Sequence, residues 1–155
     1  MRNDMPSTHQ QLLYHIVFST KNRKPYLANE DHRAKVFAYM AGIAKNLEGY
    51  ALEIGGWIDH AHLLVRIPAK TAVSEFVGSL KANTSKHVNE TSGLIKKFGW
   101  QEGFGAFSVS VSQKDKVARY IRNQVEHHAQ ETFQDEYIRL LDKHEIEYDH
   151  RYVWD

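Results

Sequence analysis

Cysteine is absent from the sequence. Disulfide frameworks and thiolate metal sites are therefore excluded. Long apolar runs are missing too. No stretch is long enough to span a bilayer, and no basic-then-apolar leader opens the chain. The expectation is a soluble, cytoplasmic protein with no membrane partner. Excess charge of one sign is also lacking: 20 Lys and Arg stand against 19 Asp and Glu, a formal net charge of +1. A general nucleic-acid coat is strongly basic, so any nucleic-acid contact must come from local patches. Internal repeats, low-complexity segments and linkers are not seen. The 155 residues suit one domain with a real core. We expect a loose tail over residues 1–11 and a single domain over 12–155. What the chain has in quantity is histidine, ten in all. Histidine is a common metal ligand and a proton carrier near neutrality, although most surface histidines do nothing specific.

Hydrophobic periodicity divides the chain into seven principal elements. Leu12 to Thr20 alternates, with Leu13, His15 and Val17 facing one way and Tyr14, Ile16 and Phe18 the other, as in a strand. A basic turn, Lys21 to Pro25, follows. Asn29 is placed to cap a helix with Glu30 and Asp31 in its first turn. Val36, Phe37, Met40, Ile43, Ala44 and Leu47 give that helix an apolar stripe, and Gly49 is placed to end it. Tyr50 to Ile58 and Ala61 to Ile67 read as two strands joined tightly near Asp59. Thr71 is placed to cap a second helix, with Val73, Phe76, Val77, Leu80 and Val88 on its buried side. Thr91 to Gly103 reads as a glycine-punctuated loop. Phe107, Val109 and Val111 alternate as a fourth strand. A third helix is expected from Lys114 to roughly Gln130, with a short fourth from Gln134 to His144. The order β-α-β-β-α-β predicts an α+β, ferredoxin-like split β-α-β fold: a four-stranded antiparallel sheet, two helices on one face, and the third helix outside that unit.

Two patterns carry chemistry. On a strand, residues two apart share a face, so His60 and His62 project side by side while Leu63, Val65 and Ile67 pack opposite. Two imidazoles so placed can share a divalent metal; the plainer reading is a chance pair in a histidine-rich chain. Burying unpaired imidazoles in an apolar strand is costly, which favours the metal. On the third helix, Tyr120 and Gln124 are four apart and share a face. A phenol and an amide oxygen there can meet one metal-bound phosphate. Alternatively Tyr120 extends a core stripe of Val117, Ile121 and Val125. His128, four residues after Gln124, either joins that face or lies on the surface.

Taken together, these residues resemble the single-tyrosine HUH transposases of insertion sequence 200/605 type. HUH denotes histidine, hydrophobic, histidine, here His60-Ala61-His62. The resemblance covers YHIVFSTKNRKP, GGWIDHAHLLVRIP, WQEGFGAFSVS, VARYIRNQVEHH and YDHRYVWD. It implies that His60 and His62 are metal ligands, that Tyr120 is the nucleophile and that Gln124 is the third ligand. It implies magnesium or manganese as the cofactor, a homodimer in which the tyrosine helix of one subunit typically completes the other's site, and single-stranded DNA hairpins at element ends as the partner. Ala61 is smaller than is common at its position, but its side chain faces away from the metal.

The chemistry follows from these types. A free phenol has a pKa of about 10 and is a poor nucleophile near neutrality. A metal on the scissile phosphate withdraws charge and stabilises the transition state. Attack by Tyr120 would leave a 5′-phosphotyrosine and a 3′-hydroxyl, a step that another 3′-hydroxyl can reverse without ATP. Lys21, Arg23 and Lys24 on the basic turn, Lys81 and Lys86 on the second helix, and Arg119 and Arg122 beside Tyr120 are candidate phosphate contacts. For each charge taken singly, a solvated surface residue is the plainer reading. The competing functions are a hairpin-binding homologue that no longer transposes, a water-using metal nuclease, and a structural dimer with incidental histidines.

Overall fold

The computed structural model describes residues 7, 9–91 and 97–155. Most of the tail and part of the glycine-punctuated loop lie outside them. Four strands form one sheet: β1 (Leu13–Ser19), β2 (Tyr50–Trp57), β3 (His60–Arg66) and β4 (Gly105–Val109). Their order is β2-β3-β1-β4, and every neighbouring pair is antiparallel. With α1 (Glu30–Asn46) between β1 and β2, and α2 (Val73–Thr91) between β3 and β4, this is the expected ferredoxin-like unit.

The two faces of the sheet separate the core from the site. Ile16 and Phe18 of β1 and Ala61, Leu63 and Val65 of β3 point to one face. There they join Val36 and Met40 of α1 and Phe76 and Leu80 of α2 in the main core. Full burial of such side chains contributes roughly 1.5–3 kcal/mol each. The opposite face carries His15, Val17, His60, His62 and Phe107, as the two-residue period requires. It is covered by α3 (Lys114–Arg122), α4 (Gln124–His127) and α5 (Phe133–Lys143). Val17 and Phe107 pack there with Phe133, Tyr137, Leu140 and Leu141 as a second, smaller core. The C-terminal helices therefore make a third layer on the sheet, where the sequence placed its third helix outside the unit.

Several local expectations change. Asn29 caps α1 as expected, accepting the His32 N–H at 2.9 Å. The end of α1 differs. Glu48, not Gly49, takes the left-handed conformation (φ 64°), while the Gly49 N–H reaches Ala44 O at 2.9 Å and closes a six-residue C-cap. Gly49 is required for space instead: a Cβ there would lie 2.7 Å from the Arg66 carbonyl oxygen. Ala72, not Thr71, holds the position before α2, its carbonyl accepting the Phe76 N–H. The expected long third helix breaks at Asn123. Gln124 turns inward at the break and is 1% exposed, while Val125, expected in the core, is 45% exposed. The reason is polar: the Gln124 amide bonds to buried groups that a valine could not satisfy.

One glycine lets α3 reach the sheet. A Cβ on Gly55 would lie 2.1 Å from the Ile121 carbonyl oxygen, so the tyrosine helix rests with its backbone almost on β2. Gly55 pairs with His62 across the ladder, which puts the helix directly over the histidine strand.

Candidate active site

The expected residues converge. His60 and His62, both fully buried, point from β3 toward Gln124 at the start of α4 and Tyr120 on α3. His60 Nε2 lies 3.1 Å from Gln124 Oε1. Two further residues complete the group: His128 after α4, and Glu136 on α5, itself fully buried. Donor atoms of His60, His62, His128 and Glu136 all lie within 4.8 Å of one another. The Tyr120 of the same chain reaches this group by donating its hydroxyl hydrogen bond to Glu136 Oε2.

Each imidazole is anchored by its outer nitrogen. His60 Nδ1 donates to Asp59 Oδ1 at 2.8 Å. His128 Nδ1 donates to the Glu131 carbonyl at 2.7 Å. His62 Nδ1 lies 2.8 Å from Nε2 of His15, whose ring stacks on it at 5.1 Å. Such partners fix the tautomer and aim of metal-ligating histidines. With Nδ1 donating outward, an imidazole at either position that carries no second proton would turn a bare Nε2 lone pair inward, toward the acceptors Gln124 Oε1 and Glu136 Oε1. Acceptor facing acceptor is repulsive unless protons or a cation lie between. The donor set thus fits a divalent cation. Three imidazole nitrogens, a carboxylate and an amide oxygen suit a first-row transition ion by ligand type, more than magnesium, which prefers oxygen and water.

The electrostatics divide the histidines. Burial holds the His62 pKa down at about 4, against the pull of Glu136, so the ring is neutral near pH 7. Burial likewise lowers His15, with His62 adding to the effect. For His128, burial pushes down, but the hydrogen bond and charge of Glu136 prevail and raise it. Burial pushes the Glu136 carboxyl up, yet the surrounding histidines, His62 foremost, hold it ionised well below the usual carboxylate range. Burial and then the Glu136 charge push the Tyr120 phenol above its ordinary value, and Arg139, whose Nη2 donates to the hydroxyl at 2.9 Å, opposes them.

Because His15 can donate to or accept from His62, it serves either tautomer. Replacing His15 by Ala is expected to weaken divalent-metal binding by about 10- to 100-fold with the fold intact, measured by calorimetric titration of manganese.

The candidate DNA contacts distribute unevenly. Lys21, Lys24, Lys86 and Arg119 are exposed. Arg23 is half-buried, its guanidinium 5.5 Å from the Trp154 ring. Arg122 is exposed but paired with Glu53 at 2.6 Å. Lys81 departs from expectation: it is buried, and its ammonium donates to the carbonyls of Gln101, Glu102 and Gly103 at 2.6–3.1 Å. Its charge holds the loop before β4 and does not face solvent. Trp100 is a core anchor, edge-on to Phe18 and Phe98.

Over residues 8–124 the chain matches the family described as "Transposase IS200 like". The chain belongs to the IS200-like transposase family. Curated relatives include the "Transposase for insertion sequence element IS200" of Salmonella typhimurium and that of Salmonella typhi. Each is 32% identical over 118 residues, covering 73% of this chain and 76% of the relative. Among solved structures, a Deinococcus radiodurans protein assigned as a transposase superposes with TM-score 0.63 at 20% identity, over 79% of this chain and 98% of that one. A REP-associated tyrosine transposase bound to a REP hairpin superposes with TM-score 0.58 at 14% identity, over 83% and 74%. These structures share the fold. The family match ends at Gln124, so His128, Glu136 and Arg139 lie beyond the part that identifies this IS200-like transposase.

Glu136, His15 and Arg139 were missed by sequence reasoning. Two of them left a signal. Glu136 falls on the apolar stripe of Phe133, Tyr137 and Leu140, and His15 sits mid-strand among apolar neighbours. Each is a polar group where burial demands a partner. Among the described residues, no helix is long and apolar enough to cross a membrane.

Proposed function

We propose that this chain cleaves and rejoins single-stranded DNA at hairpin-marked element ends through a 5′-phosphotyrosine on Tyr120. The observation that carries it is one shared carboxylate: Glu136 accepts the Tyr120 hydroxyl on Oε2 while its Oε1 lies 2.8 Å from His62 Nε2. The nucleophile is thereby tied to the candidate metal centre. His60, His62 and Gln124 would hold the ion, with His128 and Glu136 completing the set, and manganese is favoured over magnesium. A bound cation would polarise the scissile phosphate and draw negative charge from Glu136, easing loss of the phenol proton. Glu136 and Arg139 hold the phenol oxygen in place, and Asp59 and His15 keep the imidazoles aimed.

The hairpin partner is favoured by the related transposase seen on a REP hairpin. Lys21, Arg23, Lys24, Lys86, Arg119 and Arg122 are the proposed phosphate contacts, and Lys81 is dropped from them. Within one chain Tyr120 packs edge-on to His62 and His15, which favours a homodimer whose sites are each completed within one subunit. We place the protein in the cytoplasm, with its DNA.

The test is a denaturing gel with labelled single-stranded DNA from the element ends, with and without manganese. A covalent protein–DNA band that needs metal and vanishes in His62→Ala is the expected result. Hairpin binding without cleavage would favour a binding protein, and cleavage without a covalent band a water-using nuclease.

A further inference from the structure

We propose that Arg139 is a catalytic residue that binds a non-bridging oxygen of the scissile phosphate, at the mouth of a cleft that seats the attached nucleotide. This rests on Tyr120 being the nucleophile. Arg139 Nη2 lies 2.9 Å from the Tyr120 hydroxyl oxygen. A phosphorus poised for attack lies about 3–3.5 Å from that oxygen, so its non-bridging oxygens come within hydrogen-bond reach of the same guanidinium. Arginine's planar fork is suited to such oxygens.

The guanidinium is held before DNA arrives. Glu131 accepts from Nε at 3.0 Å and from Nη2 at 3.2 Å. These bonds engage only Nε and Nη2. The Arg139 side chain is 44% exposed and lines a cavity of about 450 Å³ that opens beside Tyr120. Its other walls include Lys116 of α3, Lys143 of α5, Ser110 and the Phe107 ring. No carboxylate lines it among the described residues. In a chain whose charges nearly cancel, a cleft with three cations and no anion is a local exception. Its size lies within the ~300–1,000 Å³ of ligand pockets, enough for a nucleotide.

The arrangement flanks the phosphate from two sides. The histidine and carboxylate cluster lies on the Glu136 side of the phenol, and Arg139 with the lysines on the other. As Tyr120 attacks, its oxygen–phosphorus bond forms and the bond from phosphorus to the 3′ oxygen breaks. The electron pair of the broken bond goes to the 3′ oxygen. The phenol loses one proton and the departing 3′ oxygen gains one, so no further reactant is needed. Arg139 offsets the negative charge that the pentavalent phosphorus gathers on its non-bridging oxygens.

The test first maps the cleaved bond with wild-type protein and single-stranded oligonucleotides from the element ends. It then compares the phosphodiester with a methylphosphonate at that position, which lacks the non-bridging charge. Arg139→Ala is expected to slow adduct formation at saturating DNA by about 100-fold or more on the phosphodiester, with Arg139→Lys intermediate. On the methylphosphonate the two proteins should agree within a few-fold, with manganese affinity unchanged. Equal losses on both substrates, or no loss on the phosphodiester, would overturn the proposal. If wild-type protein does not process the methylphosphonate, added guanidinium ion decides: recovery of Arg139→Ala supports the contact and no recovery overturns it. Tyr120→Phe runs alongside. Cleavage surviving in that variant defeats the nucleophile assignment itself, a result distinct from a failure of Arg139 alone.

Discussion

Tyr120→Phe is expected to remove the covalent protein–DNA band completely while the metal site and the fold persist. Phenylalanine keeps the ring and its edge-on contacts with His62 and His15, at 5.8 and 6.1 Å between centroids. It loses only the hydroxyl, which bonds to Glu136 and Arg139. The stability cost is that of a hydrogen bond to a charged group, about 1.5–3 kcal/mol, a modest part of the usual 5–15 kcal/mol. Glu136 retains His62, His128 and Gln124 as partners, so manganese affinity should change by only a few-fold. A water-using nuclease would behave oppositely, cutting DNA at close to the wild-type rate without the hydroxyl. A gel for the covalent band beside a calorimetric metal titration separates the two cases.

Glu136→Ala should have the largest effect on both stability and metal. It removes a buried charge on which four side chains converge, those of His62, His128, Gln124 and Tyr120. Deleting one partner of a buried ionic group costs about 3–5 kcal/mol, and at roughly 2–4 °C per kcal/mol the midpoint of thermal unfolding should fall by about 10 °C. The wild-type protein should gain about 2.7 kcal/mol from manganese at a hundred times its dissociation constant. The variant should gain almost nothing there. Thermal melts with and without manganese check both statements.

The pH dependence of the metal-free protein has a defined sign. The His62 pKa, lowered to about 4 chiefly by burial, makes a contribution that is whole above about pH 6.5 and is lost as pH falls toward 4. The depressed Glu136 acts in the same direction, its contribution whole above about pH 4.5 and lost below. His128 is raised, so its contribution is full below about pH 6.5 and fades as pH rises through its folded value. Glu136→Ala removes the main cause of the raised His128, and the variant should lose the decline on the alkaline side.

Much of the frame was legible because alternation and helical stripes report directly on burial. The β3 pattern of His60, Ala61, His62 and Leu63 assigned both faces of the strand, and the structure keeps them. The pairing of Tyr120 with Gln124 was legible for the same reason, as four residues make about one helical turn. What was hidden depended on contacts distant in sequence. Val125 was read as core because a continuous helix extends the stripe, whereas the buried polar group pulls Gln124 inward and breaks the helix at Asn123. Lys81 looked like a free charge, because nothing local announces that three carbonyls of the loop 101–103 will close around it. Glu136 and His15 are single polar residues in apolar stretches. Their partners come from other elements, so their roles needed the fold.

The most direct test of the central claim is mass spectrometry of the protein after reaction with single-stranded element-end DNA and manganese, followed by nuclease trimming and proteolysis. Transfer to Tyr120 predicts one modified peptide, carrying a nucleotide through a 5′-phosphate on Tyr120, and no modified peptide when the metal is chelated. Cleaved DNA with every tyrosine unmodified, or a nucleotide on another residue, would contradict it.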